Sequence, residues 1–578
     1  RLGAVAERLS ALPPAPGPLL AWLGAAPVLA RAGVAAPPPP LDRDDDLCRM
    51  LSAAAAREPD APPQLWQGPP PAQRPSLVAG PRARRRRRPV LRGPGPGARG
   101  LGHRRADALA AAGTGRRDPR LAVRGRARRH DAGLAALGLS ARPGRGRYPV
   151  RVIDCTIETM AATGALTDDA RRWEHVMSRA FGNPPVDEDG ARRWWRGLCA
   201  DGARLRGAWP TGPEPGVARR TPYATFASFD GTINTGHGHL EPADLITDVT
   251  VRPSARRNGL LTALMRADLT EAAGRGLTLA ALTATEATIY RRFGFGPATE
   301  TVGATLRTGP GHGLRAPARP GAVHELDLDA APEVMDRVFA LFHAASRGSH
   351  SRPAWCNDHA TGVWSALTNG RIEGVHAAAH WDGRGAPDGV VTFTLRRGPA
   401  GGHGDYALDV EVVEMIAAHE SAELALWRYL ASIDLARSVS APHLNPNSPL
   451  PWALDDPRRL ARTSREDLTW LRILDVPGAL RARGWDGCGR LTMEVRDPLG
   501  LSGGVFALDV SPEGAEAAPT GARPEVSLGI ATLGSLYLGL ADPVAMAAAG
   551  LIEGDPERVA ALRVLFATDR APYNITYF

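Results

Sequence analysis

From about Tyr148 onward, the apolar positions fall into spacings that predict secondary structure; before it they do not. Val150, Val152 and Ile153 predict a first strand. Arg171–Phe181 places Trp173, Val176, Met177 and Phe181 on one helical face, and Asp187–Cys199 does the same with Trp194, Trp195 and Leu198. Asp187 stands where an N-cap is expected. Tyr223–Ile233 alternates Tyr223, Thr225, Ala227 and Phe229, a strand pattern that Asp230-Gly231 is expected to turn. Leu245–Val251 predicts a strand ended by Pro253, followed by a helix with the stripe Leu260, Leu261, Leu264, Met265 and Leu269. That helix closes near Gly274-Arg275-Gly276, a second strand covers Leu277–Leu282, and a short helix covers Glu286–Arg292.

Farther along, Gly389–Leu395 and Asp405–Met415 predict strands, and Ser421–Ile433 a helix carrying Leu424, Leu426, Trp427, Leu430 and Ile433. Between them, Glu420 and Glu423 stand where the earlier strand-to-helix turn has Arg and Gly, so this copy is expected to repel a pyrophosphate. Arg490–Asp509 and Pro524–Ile530 are strand-like, and Ala545–Ala549 and Asp555–Leu565 helical.

Composition changes the reading of the first quarter. Across the 578 residues the formal net charge is +9, and all 70 basic residues are Arg. Residues 1–147 hold 27 Arg against 10 acidic residues, a balance of +17, whereas the remainder carries −8. This leader has 22 of the 52 prolines and only Trp22 and Trp66 as aromatics, too little apolar surface to offset the entropy of ordering it. It is expected to be a disordered, low-complexity extension, or a stretch outside the native protein, with short helical windows such as Ala106–Ala112. Arg84–Arg88 suits a nucleic-acid arm, but such runs are more often solvated tails, so nucleic acid is not the expected partner.

Other classes drop out. No apolar run reaches the ~18–20 residues of a membrane span. Pro13, Pro14, Pro16 and Pro18 break any signal-peptide pattern. Cys48, Cys155, Cys199, Cys356 and Cys488 lack metal or disulfide spacing, which suits a reduced, cytoplasmic setting. His237 with His239, and His343 with His350, have no ligand partners in sequence, so no metal is expected. Ser502-Gly503-Gly504 lacks the setting of a hydrolase nucleophile.

The stretch 244–297 carries the chemistry. A strand that feeds Arg256, Arg257, Asn258 and Gly259 into a helix N-terminus makes an anion site, because the first helical N–H groups are unpaired and the dipole favours negative charge. Gly259 allows close backbone approach, and the two arginines add charge. The arrangement resembles the acetyl-CoA-binding core of GNAT N-acetyltransferases. Arg256-x-x-Gly259 matches their signature, Leu261 replaces the usual Gly or Ala, and Tyr290, Phe293, Gly294 and Phe295 match the aromatic end of that core. Arg256–Leu261, the segment Thr283–Thr299 and the final Tyr577-Phe578 are similar to the Eis (enhanced intracellular survival) family, in which Leu at position 261 is common.

That resemblance implies a mixed α/β, or α+β, fold. Residues 148–300 would form a GNAT catalytic domain, 301–480 a degenerate GNAT-like domain and 481–578 a sterol-carrier-like α+β domain. It implies a homohexamer. Acetyl-CoA would be held by Val249, Thr250, Val251, Arg256, Arg257, Asn258, Gly259, Leu260, Leu261, Thr262, Thr285 and Glu286. The backbone of Val249–Val251 would pair with the pantetheine like an added strand. Tyr290 would be the general acid, since a phenol of pKa ~10 is protonated at neutral pH. The α-carboxylate of Phe578 would be the general base. The expected acceptor is a primary amine, on an aminoglycoside-like molecule or a lysine side chain. The readings set against this are a non-catalytic GNAT-fold binder or lipid carrier, and an Arg-arm nucleic-acid binder.

Overall fold

The apolar stripes at residues 171–199 become two amphipathic helices in a computed structural model. The model describes residues 153–217, 219–309, 313–315, 320–397 and 407–578, all within one unit of the chain, Gly113–Phe578. The expectations for the leader, the Arg84–Arg88 run and Val150 and Val152 fall outside the described residues. Strand β1 runs Cys155–Ala161, later than Ile153 suggested. Helix α1 spans Asp168–Ala180, capped by the Thr167 hydroxyl, and α2 spans Glu188–Ala200, where Asp187 accepts from Gly190 N at 2.7 Å. Trp173 and Trp194 stack with centroids 5.9 Å apart, and Trp173 Nε1 donates to Arg206 O, so the helices lock onto the sheet.

The first sheet continues with β2 (Arg204–Pro210), β3 (Ala224–Gly236) and β4 (His239–Val251). Asp230-Gly231 does not turn. The β3–β4 pairing runs on through Gly231↔Ala243 to Gly236↔His239. The hairpin turns instead at His237-Gly238, with φ of 52° and 75°, the positive pair a two-residue hairpin needs. Gly231 serves close approach: a Cβ there would meet Leu245 Cδ1 at 2.5 Å.

Helix α3 (Leu260–Gly274) crosses over to β5 (Leu279–Thr283), which pairs parallel with β4. A one-turn helix α4 (Ala287–Tyr290), a short 3₁₀ turn and β6 (Gly296–Pro297) follow. The sheet order is β1-β2-β3-β4-β5-β14-β6, where β14 is Thr469–Ile473, a strand from beyond residue 300. Its two faces bury separate cores, one under α1 and α2, the other under α3 and around Phe293 and Phe295.

The second sheet repeats the logic. Strands β7 (Glu300–Arg307), β8 (Gly321–Leu326), β9 (Val375–Asp382), β10 (Pro387–Arg397), β11 (Leu408–Ala417), β12 (Ala436–Leu444) and β13 (Leu460–Asp467) lie in the order β13-β7-β12-β11-β10-β9-β8. Helix α5 (Ala331–Ala345) and a short α6 (Trp355–Ala360) precede β9. The pair joined by a helical crossover, β11 to β12 through α7 (Glu420–Ala431), is again parallel. At its start Glu423 is buried and bonded to Ser448, while Glu420 pairs with Arg570. The third sheet is built from residues 489–554, and the stretch read as one strand, Arg490–Asp509, is two, Gly489–Arg496 and Gly504–Ser511, paired antiparallel.

Candidate active site

The two parallel strands of the first sheet separate where chemistry needs space. Pairing between β4 and β5 ends at Ile246↔Leu282, although β4 continues to Val251. Asp248 takes φ +54°, a bulge that bends β4 away and frees its last residues from β5. A cavity of about 380 Å³ opens in this gap, the size range of small-ligand sites. Ile246–Val249 and Leu282–Thr283 line it, with Phe181 and Trp194 from the helical side and Trp355 and Trp364 from the second half of the chain.

Val249, Thr285, Tyr290 and Phe578, singled out from the sequence, line this one cavity. Thr250 turns inward, its hydroxyl 2.6 Å from that of Thr225, and Val251 is half-buried at the strand end. The other predicted residues gather at the head of α3. Gly259 N-caps the helix at φ +77°, and Arg257 before it is also left-handed, at φ +66°. Asn258 Nδ2 donates to Ala255 O and Arg256 O, which holds the turn. Arg256 and Arg257 are exposed, and the first turn of α3 carries no acidic residue. Leu260 is buried in the core and Leu261 packs against it, so they offer backbone N–H groups; Thr262 is exposed. Glu286 is exposed at the head of α4. This cradle of N–H donors and free guanidinium groups fits an anionic phosphate.

Tyr290 is buried, with its ring edge-on to Phe295. Burial, helped by the nearby Glu286 charge, pushes its phenol up to about 12, so it is fully protonated at neutral pH. Phe578 reaches the cavity through a buried tail. Tyr573, Asn574, Ile575 and Thr576 are all buried, and Tyr573 Oη donates to His443 O. The Phe578 ring packs against His350, 4.4 Å between centroids, and edge-on to Phe229. The tail lies over the gap of the second sheet. There β11 and β12 part beyond Glu411↔Ser440, and Val412–Met415, Pro442, His443, Ile575 and Tyr577 enclose a neighbouring cavity of about 360 Å³.

Three carboxylates that the sequence reading passed over also line the first cavity: Glu174, Asp201 and Asp248. Burial raises Asp201 to about 6 against the bond it accepts from Ala354 N, and raises Asp248 to about 7, with Glu174 adding to the shift. Glu174 is itself raised by burial. The available signal was Asp248 inside a strand, where Asp is disfavoured. Among the described residues, no group of His, Cys, Asp and Glu is placed to hold a metal, and no helix is long and apolar enough to cross a membrane.

Comparisons with known proteins agree with this architecture. Two acetyltransferase (GNAT) domain models match residues 164–298 and 348–473, and a sterol carrier protein domain model matches 476–575. An uncharacterized N-acetyltransferase of Streptomyces griseus is 33% identical over 378 residues, 64% of this chain and 88% of that protein. One from Streptomyces avermitilis is 36% identical, covering 61% and 84%. N-acetyltransferase Eis of Mycobacterium tuberculosis is 32% identical, covering 57% and 79%. Among solved structures, Eis1 from Mycobacterium abscessus superposes with a TM-score of 0.59 at 27% identity, over 73% of this chain and all of that one. A GCN5-related N-acetyltransferase from Kribbella flavida shares the fold, with a TM-score of 0.56 at 23% identity over 73% of this chain and 99% of that one. With two GNAT domains, a sterol-carrier-like domain and these relatives, the chain belongs to the Eis-like GNAT N-acetyltransferases.

Proposed function

We propose that the chain moves an acetyl group from acetyl-CoA to a primary amine by direct attack in the first cavity. The observation that carries this is the meeting of Tyr290 and Phe578, 288 positions apart, at the parting of β4 and β5. The pyrophosphate of the coenzyme would lie on Arg256, Arg257 and the N–H groups at the head of α3. Its pantetheine would enter the gap along Val249–Val251 like an added strand, with Thr285 and Glu286 at the rim. A β4 N–H aimed into the gap can polarise the thioester carbonyl.

The amine then attacks the acetyl carbon, a C–N bond forms and the C–S bond breaks. Tyr290 gives its proton to the departing thiolate, and the α-carboxylate of Phe578 takes one from the nitrogen. The carboxylates lining the cavity suit a cationic acceptor, such as an aminoglycoside or a lysine side chain. In this reading residues 148–300 carry the chemistry, 301–480 seat the tail and 481–578 brace the catalytic sheet; the working form would be a cytoplasmic homohexamer. A thiol-release assay with acetyl-CoA across aminoglycosides, polyamines and lysine peptides tests it. At least one class should give release that depends on acceptor; background release with every class would remove the reading.

A further inference from the structure

The reaction proposed above moves more protons than Tyr290 and Phe578 handle. An acceptor arriving as an ammonium ion has three N–H protons, and the amide product keeps one. Two protons must therefore leave the nitrogen, while a third passes from Tyr290 to sulfur. A C-terminal carboxyl of pKa ~3.3–3.7 is matched to the second loss, because a nitrogen already bonded to the acetyl carbon is strongly acidic. It is mismatched to the first, from an ammonium of pKa ~10.4.

Asp248 stands where the first proton must go. Its left-handed backbone forms the bulge that parts β4 from β5, and its side chain lines the same cavity as Tyr290 and Phe578. Thr225 Oγ1 donates to its backbone carbonyl and holds the bulge in place. The groups facing the cavity around it are Glu174 from α1, Asp201 at the end of α2, Tyr290 from α4 and the Phe578 carboxylate. Thr247 beside it hydrogen-bonds its charged form, but burial and Glu174 outweigh that bond, so it holds a proton far more readily than a surface aspartate.

We propose that Asp248 is a second catalytic carboxylate, which takes the first proton from the incoming ammonium before attack. This rests on the acetyl-transfer reading and divides its base chemistry. The neutral amine attacks, the C–N bond forms, and the carbonyl π pair moves to oxygen. The Phe578 carboxylate takes the second nitrogen proton, the C–S bond breaks, and Tyr290 protonates the thiolate. The proton on Phe578 restores the Tyr290 phenol, and the one on Asp248 goes to solvent, so one proton is released per turnover.

The test uses the full chain, acetyl-CoA and two acceptors: propylamine, an ammonium at pH 7, and 2,2,2-trifluoroethylamine, already neutral there. With propylamine at pH 7, Asp248→Asn should lower kcat/KM about 100-fold, the usual scale for losing a general base. The deficit should shrink as pH rises towards the amine's own pKa and stay below about threefold with trifluoroethylamine. Asp248→Gly, which keeps the left-handed backbone without strain, should show the same selectivity. Deleting Phe578 should impair both acceptors. Equal deficits with both amines at every pH would overturn the role of Asp248 alone. A wild-type protein that acetylates no amine would overturn the acetyl-transfer reading and this one with it.

Discussion

The side-chain amide of Asn574 donates to Nε2 of His350 across 2.7 Å, inside a fully buried pocket. The same amide nitrogen reaches Thr576 O at 2.7 Å, and the Asn574 carbonyl accepts from Thr576 N. One residue thus closes the tail into a tight turn and pins it to the loop after α5, two residues ahead of Phe578. Asn574→Ala leaves His350 Nε2 and the Thr576 backbone unpaired, which costs about 1–3 kcal/mol for each buried group. Loosening of the tail should then lower kcat more than the KM for acetyl-CoA. Unfolding midpoints and steady-state kinetics check both effects.

That bond also needs a neutral His350. Burial drops its imidazole from 6.5 to about 3, and the neighbouring His343 likewise to about 4. A base whose pKa is depressed by folding binds fewer protons folded than unfolded, so its contribution to stability is present above pH 6.5 and is lost as pH falls towards 3. Asp201 and Asp248, raised by folding, act in the opposite direction. The informative quantity is therefore a difference. His350→Asn should lose less stability between pH 6.5 and 4 than the wild type, as read from Tm against pH.

Tyr290→Phe removes the proton donor and keeps the ring that packs on Phe295. It should lower kcat about 100-fold or more, with acetyl-CoA binding by calorimetry unchanged. A fall confined to KM would assign the phenol to binding.

Much of the coenzyme side was legible in the sequence because it is local. Arg256-x-x-Gly259, the helix after it and Tyr290 are close in sequence, and the chain folds them as their spacing suggests. The acceptor side was not legible. Glu174, Asp201 and Asp248 converge only once α1, α2 and the β4 bulge are packed together, and each alone reads as an ordinary polar residue. Asp230-Gly231 was misread for a related reason. Pairing with β4 and the ion pairs of Asp230 with Arg204 and Arg275 hold it extended, overriding its local turn tendency. Nor did any short-range pattern announce that β14 inserts between β5 and β6.

Arg256→Ala with Arg257→Ala should raise the KM for acetyl-CoA about tenfold and leave kcat nearly unchanged. Both side chains are exposed at the head of α3, away from the cavity lining. Because the lost contacts are charge–phosphate contacts, the wild-type KM should rise with salt more steeply than that of the double variant. Titration of KM between low and physiological salt checks this.

A buried ion pair ties the catalytic sheet to the third one. Arg472 on β14 donates to Phe293 O and pairs with Asp497 at 2.8 Å, and both side chains are fully buried. Arg472→Met leaves the Asp497 charge uncompensated and should destabilise the fold by about 3–5 kcal/mol, as measured by denaturant unfolding.

The most direct test of the account counts products. With the full chain, acetyl-CoA and an accepted amine, one amide should form for each thiol released, by mass spectrometry and thiol titration together. Both products should fall about 100-fold or more in Tyr290→Phe and on deletion of Phe578. Thiol release without amide, or full amide formation in either variant, would contradict it.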